Sequence, residues 1–357
     1  MATAATATGI RIARPSIYID GQNDIALGQA LLQLIISEDV QGLYHCEARF
    51  GNWGPKGNSI GFMYFDRKKL DFGKPMQIKI DQDKIFDGRI SAIEANFGEA
   101  RPPEIAVLLE DRFQDLRMTQ RTRTFADVSD SDVMNRIASD YGLQPNIDVS
   151  GPSYKVLAQV NQSDLSFLRE RARAIDAEIW LDDKTLHCQS RTKRNNGTVK
   201  VNYGGELREV TVTADLAGQR TSVKVNGWDI SGKSAMTYEA NDQVISGELG
   251  SDTSGISILK SAFGDRKEAL AHTVPLSSRE AQTEAEAVMR MTARRFVIAH
   301  GITQADAKLR VGTYIDMQGL GPLFSGKYYL CHVKHVFEGT QGFVTEFSAE
   351  RSGIGKP

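Results

Sequence analysis

The chain has 357 residues, 41% hydrophobic and 25% charged, which is the balance of a globular protein and excludes a disordered, collagen-like or coiled-coil chain. Its 43 basic and 45 acidic residues leave a net charge of −2, without the basic excess of a duplex-coating protein. No apolar run approaches the roughly 18 residues of a membrane-spanning helix, and three scattered cysteines, Cys46, Cys188 and Cys331, give no disulfide framework and point to synthesis in a reducing compartment.

Residues 1–16 are Ala/Thr-rich, carry Arg11 and Arg14, and lack the apolar core of a secretory signal, so a flexible extension is expected. From 17 to 117 the pattern is β. Tyr44, Cys46, Ala48 and Phe50 alternate with polar residues, as do Met76, Ile78, Ile80 and Ile105, Val107, Leu109. Leu31 to Ile36 is apolar on both faces. Gly and Asn cluster from Gly51 to Gly61, a turn or bulge region. Several short alternating strands predict a first antiparallel β-barrel.

Residues 118–195 read as an α/β module. A helix over Ser129–Tyr141 has Ser129 as its cap, Asp132 near its positive end and Gly142 as its stop. A second helix opens at Ser163, with Leu165, Leu168, Ala172 and Ile175 on one face. A hairpin follows, Glu178–Leu181 and Thr185–Gln189 around Asp182-Asp183-Lys184. The basic stretch Arg191–Gly197 marks a boundary.

A second β-barrel is expected over 196–230 and 272–351, with Val210, Val212, Val223 and Val225 in strands and Ser277-Ser278-Arg279-Glu280 capping a helix. Residues 231–271, rich in Gly, Ser and Asp, read as an insertion or long loop, and 352–357 as a tail. The fold class is therefore mixed α+β, β-dominated, with two similar antiparallel barrels and an intervening α/β module.

The similarity of the barrels rests on a weak repeat. Gly73-Lys74-Pro75-Met76-Gln77-Ile78-Lys79-Ile80 precedes Phe86-Asp87-Gly88-Arg89. Gly312-Thr313-Tyr314-Ile315-Asp316-Met317 precedes Phe324-Ser325-Gly326-Lys327. Gly88 and Gly326 are matched as positive-φ positions. Each unit closes on an acidic strand end, at Glu110 and at Glu350. Three copies of a two-barrel chain present six similar barrels around one axis.

The segment Gln162-Ser163-Asp164-Leu165-Ser166-Phe167-Leu168-Arg169, with Phe86-Asp87-Gly88-Arg89-Ile90 and Gly326-Lys327-Tyr328-Tyr329-Leu330 to Phe347, resembles the late control D family, the tail-hub proteins of contractile phages. It is also similar to the N-terminal hub part of the VgrG spike of type VI secretion. This resemblance implies a homotrimeric baseplate hub between a hexameric tail tube and a trimeric spike, with other baseplate proteins around it and cargo as an open question. Such a protein is made in the bacterial cytoplasm and then built into a particle. With no spike segment before Pro357, the spike is expected as a separate polypeptide.

No catalytic, cofactor or metal residues are assigned. The pairs His45-Cys46, His187-Cys188 and Cys331-His332, with His335, invite a metal or thiol reading, but strand neighbours point to opposite faces. Asp182-Asp183 and Asp81 with Asp83 are placed in turns, and Asp140, Asp164 and Asp176 at helix ends. Gly247, Gly250 and Gly255 lack the Lys-Ser/Thr of a phosphate loop. Arg117, Arg121 and Arg123, and Arg191, Lys193 and Arg194, are expected in solvated linkers without specific nucleic acid. Arg294 and Arg295 are expected to complement a helix dipole. The alternative reading is a particle-borne cell-wall hydrolase or wall-binding module.

Overall fold

The computed structural model describes residues 14–229, 232–271, 274–339 and 342–356. The expected N-terminal extension lies, through residue 13, outside the described residues, as does Pro357 of the tail. The first half of the chain contributes β1 (Ser16–Ile19), β2 (Leu31–Asp39), β3 (His45–Gly51), β4 (Pro75–Ile80), β5 (Asp83–Asn96) and β6 (Glu104–Glu110). They lie in the order β2-β3-β6-β5-β4-β1, all antiparallel. Because side chains alternate along a strand, Leu34, Ile36, Cys46, Ala48, Phe50, Met76, Ile78 and Val107 all enter one core. The Gly51–Gly61 stretch forms a projecting hairpin, Trp53–Lys56 with Ser59–Phe62, turned at Gly57 with φ +62°.

The α/β module follows as β7 (Gln120–Ser129), α1 (Asp130–Asp140), β8 (Gln144–Asp148), β9 (Ser153–Ser163), α2 (Asp164–Ala174), β10 (Ala177–Asp182) and β11 (Thr185–Ser190). The Ser129 hydroxyl accepts from the Asp132 N–H, and the Asp132 carboxylate accepts from the Ser129 N–H. This reciprocal pair fixes the start of α1. Ser163 caps α2 through the Ser166 N–H. Phe113 and Leu116 belong to this module's core with Val133, Ile137, Leu165 and Leu168, so the module recruits residues from before its expected start at 118.

The second half opens with β12 (Thr198–Asn202) and β13 (Leu207–Ala214). The chain then leaves the main sheet for β14 (Ser222–Asp229), β15 (Ser234–Ala240), α3 (Gly255–Phe263), β16 (Lys267–Leu270) and α4 (Ser278–Arg294). The three strands pair in the order β15-β14-β16. Val223, Val225, Ile245, Leu270, Ala285 and Met289 form a separate core there. The described part of 231–271 is therefore a second α/β module rather than a long loop, and Val223, Val225 and the helix after Ser277 belong to it rather than to a barrel. Its Gly and Ser residues are stop and start devices: Ser254 caps α3 and Gly264, with φ +75°, ends it.

The chain returns with β17 (Val297–Gln304), β18 (Tyr314–Gln318), β19 (Gly326–Glu338) and β20 (Gly342–Arg351). The order β13-β17-β20-β19-β18-β12 repeats that of the first half. One difference is that β12 runs parallel to β18, where β1 runs antiparallel to β4. In the tail, Gly353–Ile354 pairs with Thr253–Ser254.

The halves agree in register as well as order. Arg89 opposes Glu110 and Tyr329 opposes Glu350; just beyond, both ladders slip, between Ile90 and Ala92 and between Leu330 and His332. The β2–β3 ladder slips between Leu31 and Gln33, and the β13–β17 ladder between Leu207 and Glu209. The Gly73 N–H donates to Ile90 and the Gly312 N–H to Leu330, and both glycines have positive φ, +75° and +93°. Ile90 thus corresponds to Leu330, and Gly88 to Tyr328, two residues away from the expected match with Gly326. Gly88 takes no positive φ; a Cβ there would lie 2.5 Å from the Glu110 carbonyl oxygen and 2.6 Å from the Phe86 ring.

The two largely antiparallel halves are joined edge to edge. β19 pairs with β2 from His332↔Asp39 to Glu338↔Gln33, fusing both into one 13-stranded sheet. The fold is β-dominated α+β with two similar, largely antiparallel halves, each carrying an α/β module.

Candidate functional site

The joint between the halves is built by β19 and β2. Val333, His335 and Phe337 point inward from β19, and Leu34, Ile36 and Glu38 from β2; all are buried. Phe337 enters the first-half core and meets Phe343 edge-on, with centroids 6.0 Å apart. His335 contacts the Thr345 hydroxyl through Nδ1 at 2.9 Å. Burial, with the Arg310 charge adding to it, lowers the His335 pKa to about 3, so the ring is neutral. Glu38 forms an ion pair with Arg310 and accepts from the Val311 N–H at 3.3 Å. Burial raises its pKa, and Arg310 opposes the rise. At the rim, the Gln33 amide donates to Glu338 at 2.9 Å, and Ser37 meets His332 at 3.1 Å.

Beside this joint lies a buried polar cluster. Arg194 is 2% exposed, donates to Glu178 at 2.9 Å and to the Tyr44 hydroxyl at 2.8 Å, and stacks on Trp180 at 4.1 Å. The Tyr329 hydroxyl donates to Glu178 at 2.6 Å. First half, first module and second half thus share one network. Burial works against the Arg194 charge, but Tyr44, Glu178 and Tyr329 outweigh it and its pKa is raised. Arg191 pairs with Glu350 at 2.6 Å and stacks on Tyr329. The solvated-linker expectation is therefore corrected for Arg191 and Arg194: acceptors from distant segments surround both. Lys193 stays half-exposed, on Asp148.

The other basic residues are also partnered. Arg117 pairs with Glu110, and Arg121 and Arg123 converge on fully buried Asp164, which also accepts from the Tyr141 hydroxyl and Gln159 amide. Arg121 and Arg123 thus brace the first module through Asp164, while Arg117 stays half-exposed and reaches back to the first half. Arg294 does sit in the last turn of α4, but it is buried between Asp176, at 2.5 Å, and Glu248, at 2.7 Å. It ties one module to the other.

Among the described residues, two of the open strand edges belong to the counterparts of the joint's own strands. Past Arg89, β5 pairs only with β6, and β13 pairs only with β17 among the described residues. Phe97, just beyond β5, is 63% exposed. It touches Phe62 and Phe65, at 6.1 and 5.8 Å, and Phe62 meets Trp53 at 5.1 Å. Trp53, Ile60, Phe62 and Phe97 form an exposed apolar surface beside the β5 edge. A free edge next to such a surface is a place for another chain to add.

The remaining candidates fall apart in space. Cys46 and Cys188 are buried, and burial pushes both thiols up; Cys331 is half-buried at a strand slip and pushed up to about 12. Among the described residues no group of three His, Cys, Asp or Glu side chains can hold a metal ion. Asp81 and Asp183 take φ +52° in their turns. Asp182 and Asp183 border a cleft of about 640 Å³, also lined by Lys84, Asp87, Trp180 and Arg310. Asp111 also lines it, accepting from the Tyr44 and Phe113 N–H groups; burial outweighs these bonds and raises its pKa to about 7. Asp140 pairs with Arg123. Gly247 lies within a single helical turn that Gly250 ends, and Gly255 begins α3 against the Phe296 ring.

This architecture is that of phage tail and type VI secretion proteins. The 43 kDa tail protein of prophage MuSo2 from Shewanella oneidensis is 9% identical and superposes with a TM-score of 0.70 over 95% of this chain and 98% of that one. A tail protein from Neisseria meningitidis MC58 is 11% identical, TM-score 0.67, over 96% and 97%. The Escherichia coli c3393 protein, a type VI secretion component described as structurally similar to the T4 tail proteins gp27 and gp5, is 11% identical, TM-score 0.56, over 96% and 79%. The chain belongs to the family described as the Alg8 N-terminal domain, whose model matches residues 65–338. No curated protein sequence matches it.

Proposed function

We propose that this chain is a structural hub: a homotrimer that adapts a hexameric tail tube to a trimeric central spike in a phage tail or contractile injection system. The observation that carries this reading is the duplication, two halves with the same strand order and two matching register slips. Three copies then offer six similar sheet units to a sixfold partner. Away from the sheet the halves differ, because one module follows β6 and the other is inserted between β13 and β17. That difference leaves threefold character for the spike side. Chemistry is not part of the role; the buried carboxylates and arginines brace the domains. The chain is made in the bacterial cytoplasm and enters the particle with spike, tube and other baseplate proteins as partners.

Native mass spectrometry of the full chain should give a trimer, and electron micrographs should show a six-lobed ring. A chain that stays monomeric at high concentration, with tube and spike proteins present, overturns the proposal.

A further inference from the structure

The in-chain joint has an unfilled duplicate. The register equivalence maps β19 residues 332–338 onto 92–98, the end of β5 and the two residues after it, and β2 residues 33–39 onto 209–215, most of β13 and the residue after it. In the chain, β19 of the second half docks on β2 of the first. The matching edges, β5 past Arg89 in the first half and β13 in the second, are both open among the described residues. We infer that residues 92–98 of one copy pair antiparallel with residues 209–215 of a second copy of this chain, in the register Ala92↔Asp215, Glu94↔Thr213, Phe97↔Val210. This rests on the self-assembling hub reading and specifies which surfaces perform it.

Three observations carry the pairing. First, the chemistry alternates correctly. The inward positions of the joint, Val333, His335 and Phe337 against Glu38, Ile36 and Leu34, become Ile93, Ala95 and Phe97 against Ala214, Val212 and Val210, all apolar. The outward positions become Ala92, Glu94 and Asn96 against Asp215, Thr213 and Thr211, mostly polar. A slip of one residue would face apolar against polar. Second, Phe337 is 3% exposed whereas its counterpart Phe97 is 63% exposed, a core-type side chain without a core. Third, Ala305 and Ala307, between β17 and β18, pack on the first-half core across the joint. The corresponding segment between β3 and β4 holds the arm with Trp53, Ile60 and Phe62, in position to lie on a neighbour's second-half core. The contact is head-to-tail, so each copy gives one edge and receives another, as ring assembly requires.

The test is disulfide trapping in the full chain. Glu94 and Thr213 are exposed and would face one another across the ladder, within the Cα spacing that a disulfide bridges. The E94C/T213C variant, mildly oxidised, should give covalent dimers and trimers on non-reducing gels, while each single variant gives only the background from Cys331. A92C/T211C, four residues out of register, should not cross-link; cross-linking there in place of E94C/T213C overturns the register. Phe97→Asp leaves the monomer core intact and should weaken self-association by at least about tenfold, because a carboxylate would be buried against Val210. Trimers that form without the E94C/T213C cross-link refute this pairing and leave the hub reading standing. Absence of any oligomer refutes both.

Discussion

Replacing Arg194 with Met tests whether the buried network holds the domains together. The substitution keeps the aliphatic stem but removes the bonds to Glu178 and Tyr44 and the stack on Trp180. Removing one partner of a buried ion pair costs about 3–5 kcal/mol, mainly by stranding the other charge. Here Glu178 keeps the Tyr329 hydroxyl at 2.6 Å, which places the expected loss near the lower end, about 3 kcal/mol. Adding Glu178→Gln removes the stranded charge, so the double variant should regain at least about 1 kcal/mol over Arg194→Met. The assay is urea denaturation followed by tryptophan fluorescence, since Trp180 lies against the Arg194 guanidinium. A loss below about 1 kcal/mol for Arg194→Met, or strictly additive single and double variants, would refute the reasoning.

The pH response has two opposing contributions. His335 has a lowered pKa, so its share of stability is present above about 6.5 and is lost as pH falls towards 3, at about 1.4 kcal/mol per pH unit. Asp111 has a raised pKa, so its share is complete below 3.8 and is lost as pH rises towards 7. Between 3.8 and 6.5 the two slopes oppose, and Asp111→Asn should steepen acid destabilisation in that window; parallel wild-type and variant profiles would contradict this. Gly42→Ala should cost about 2 kcal/mol or more, because φ is +69° and the new Cβ would sit 2.6 Å from the Phe113 ring. Gly57→Ala, with φ +62° in open space, should cost about 1 kcal/mol, and equal losses in thermal melts would show that the Phe113 contact is irrelevant. A thiol reagent should label Cys331 first and reach Cys46 and Cys188 only on unfolding; fast native labelling of Cys46 would be incompatible with its burial.

What the sequence disclosed follows from how local each signal is. Ser129 with Asp132, and Ser163 with Ser166, meet within one helical turn, so both helix starts were readable. The repeat was readable through Gly73 and Gly312, whose backbone roles recur, but the likeness of Phe-Asp-Gly-Arg to Phe-Ser-Gly-Lys misled by two residues. Pairing partners and slips, not tetrapeptides, fix equivalence. The second module was hidden because its strands are short and its caps, Ser254 and Gly264, have the composition of a loop. Arg194 looked solvated because Tyr44, Glu178 and Tyr329, which enclose it, are up to 150 residues away in sequence from it. The open edges could not be seen at all, since an unpaired strand and a paired one have the same alternation.

The β2–β19 pairing sets a timetable for biosynthesis. The strand at Leu31–Asp39 leaves the ribosome early, yet the strand that covers its flank, Gly326–Glu338, is among the last to emerge. Throughout translation the nascent polypeptide carries a sticky flank that its own tail has yet to cover. Crowded polysomes would bring such flanks together, so slow elongation or a holding chaperone favours correct monomers over premature aggregates.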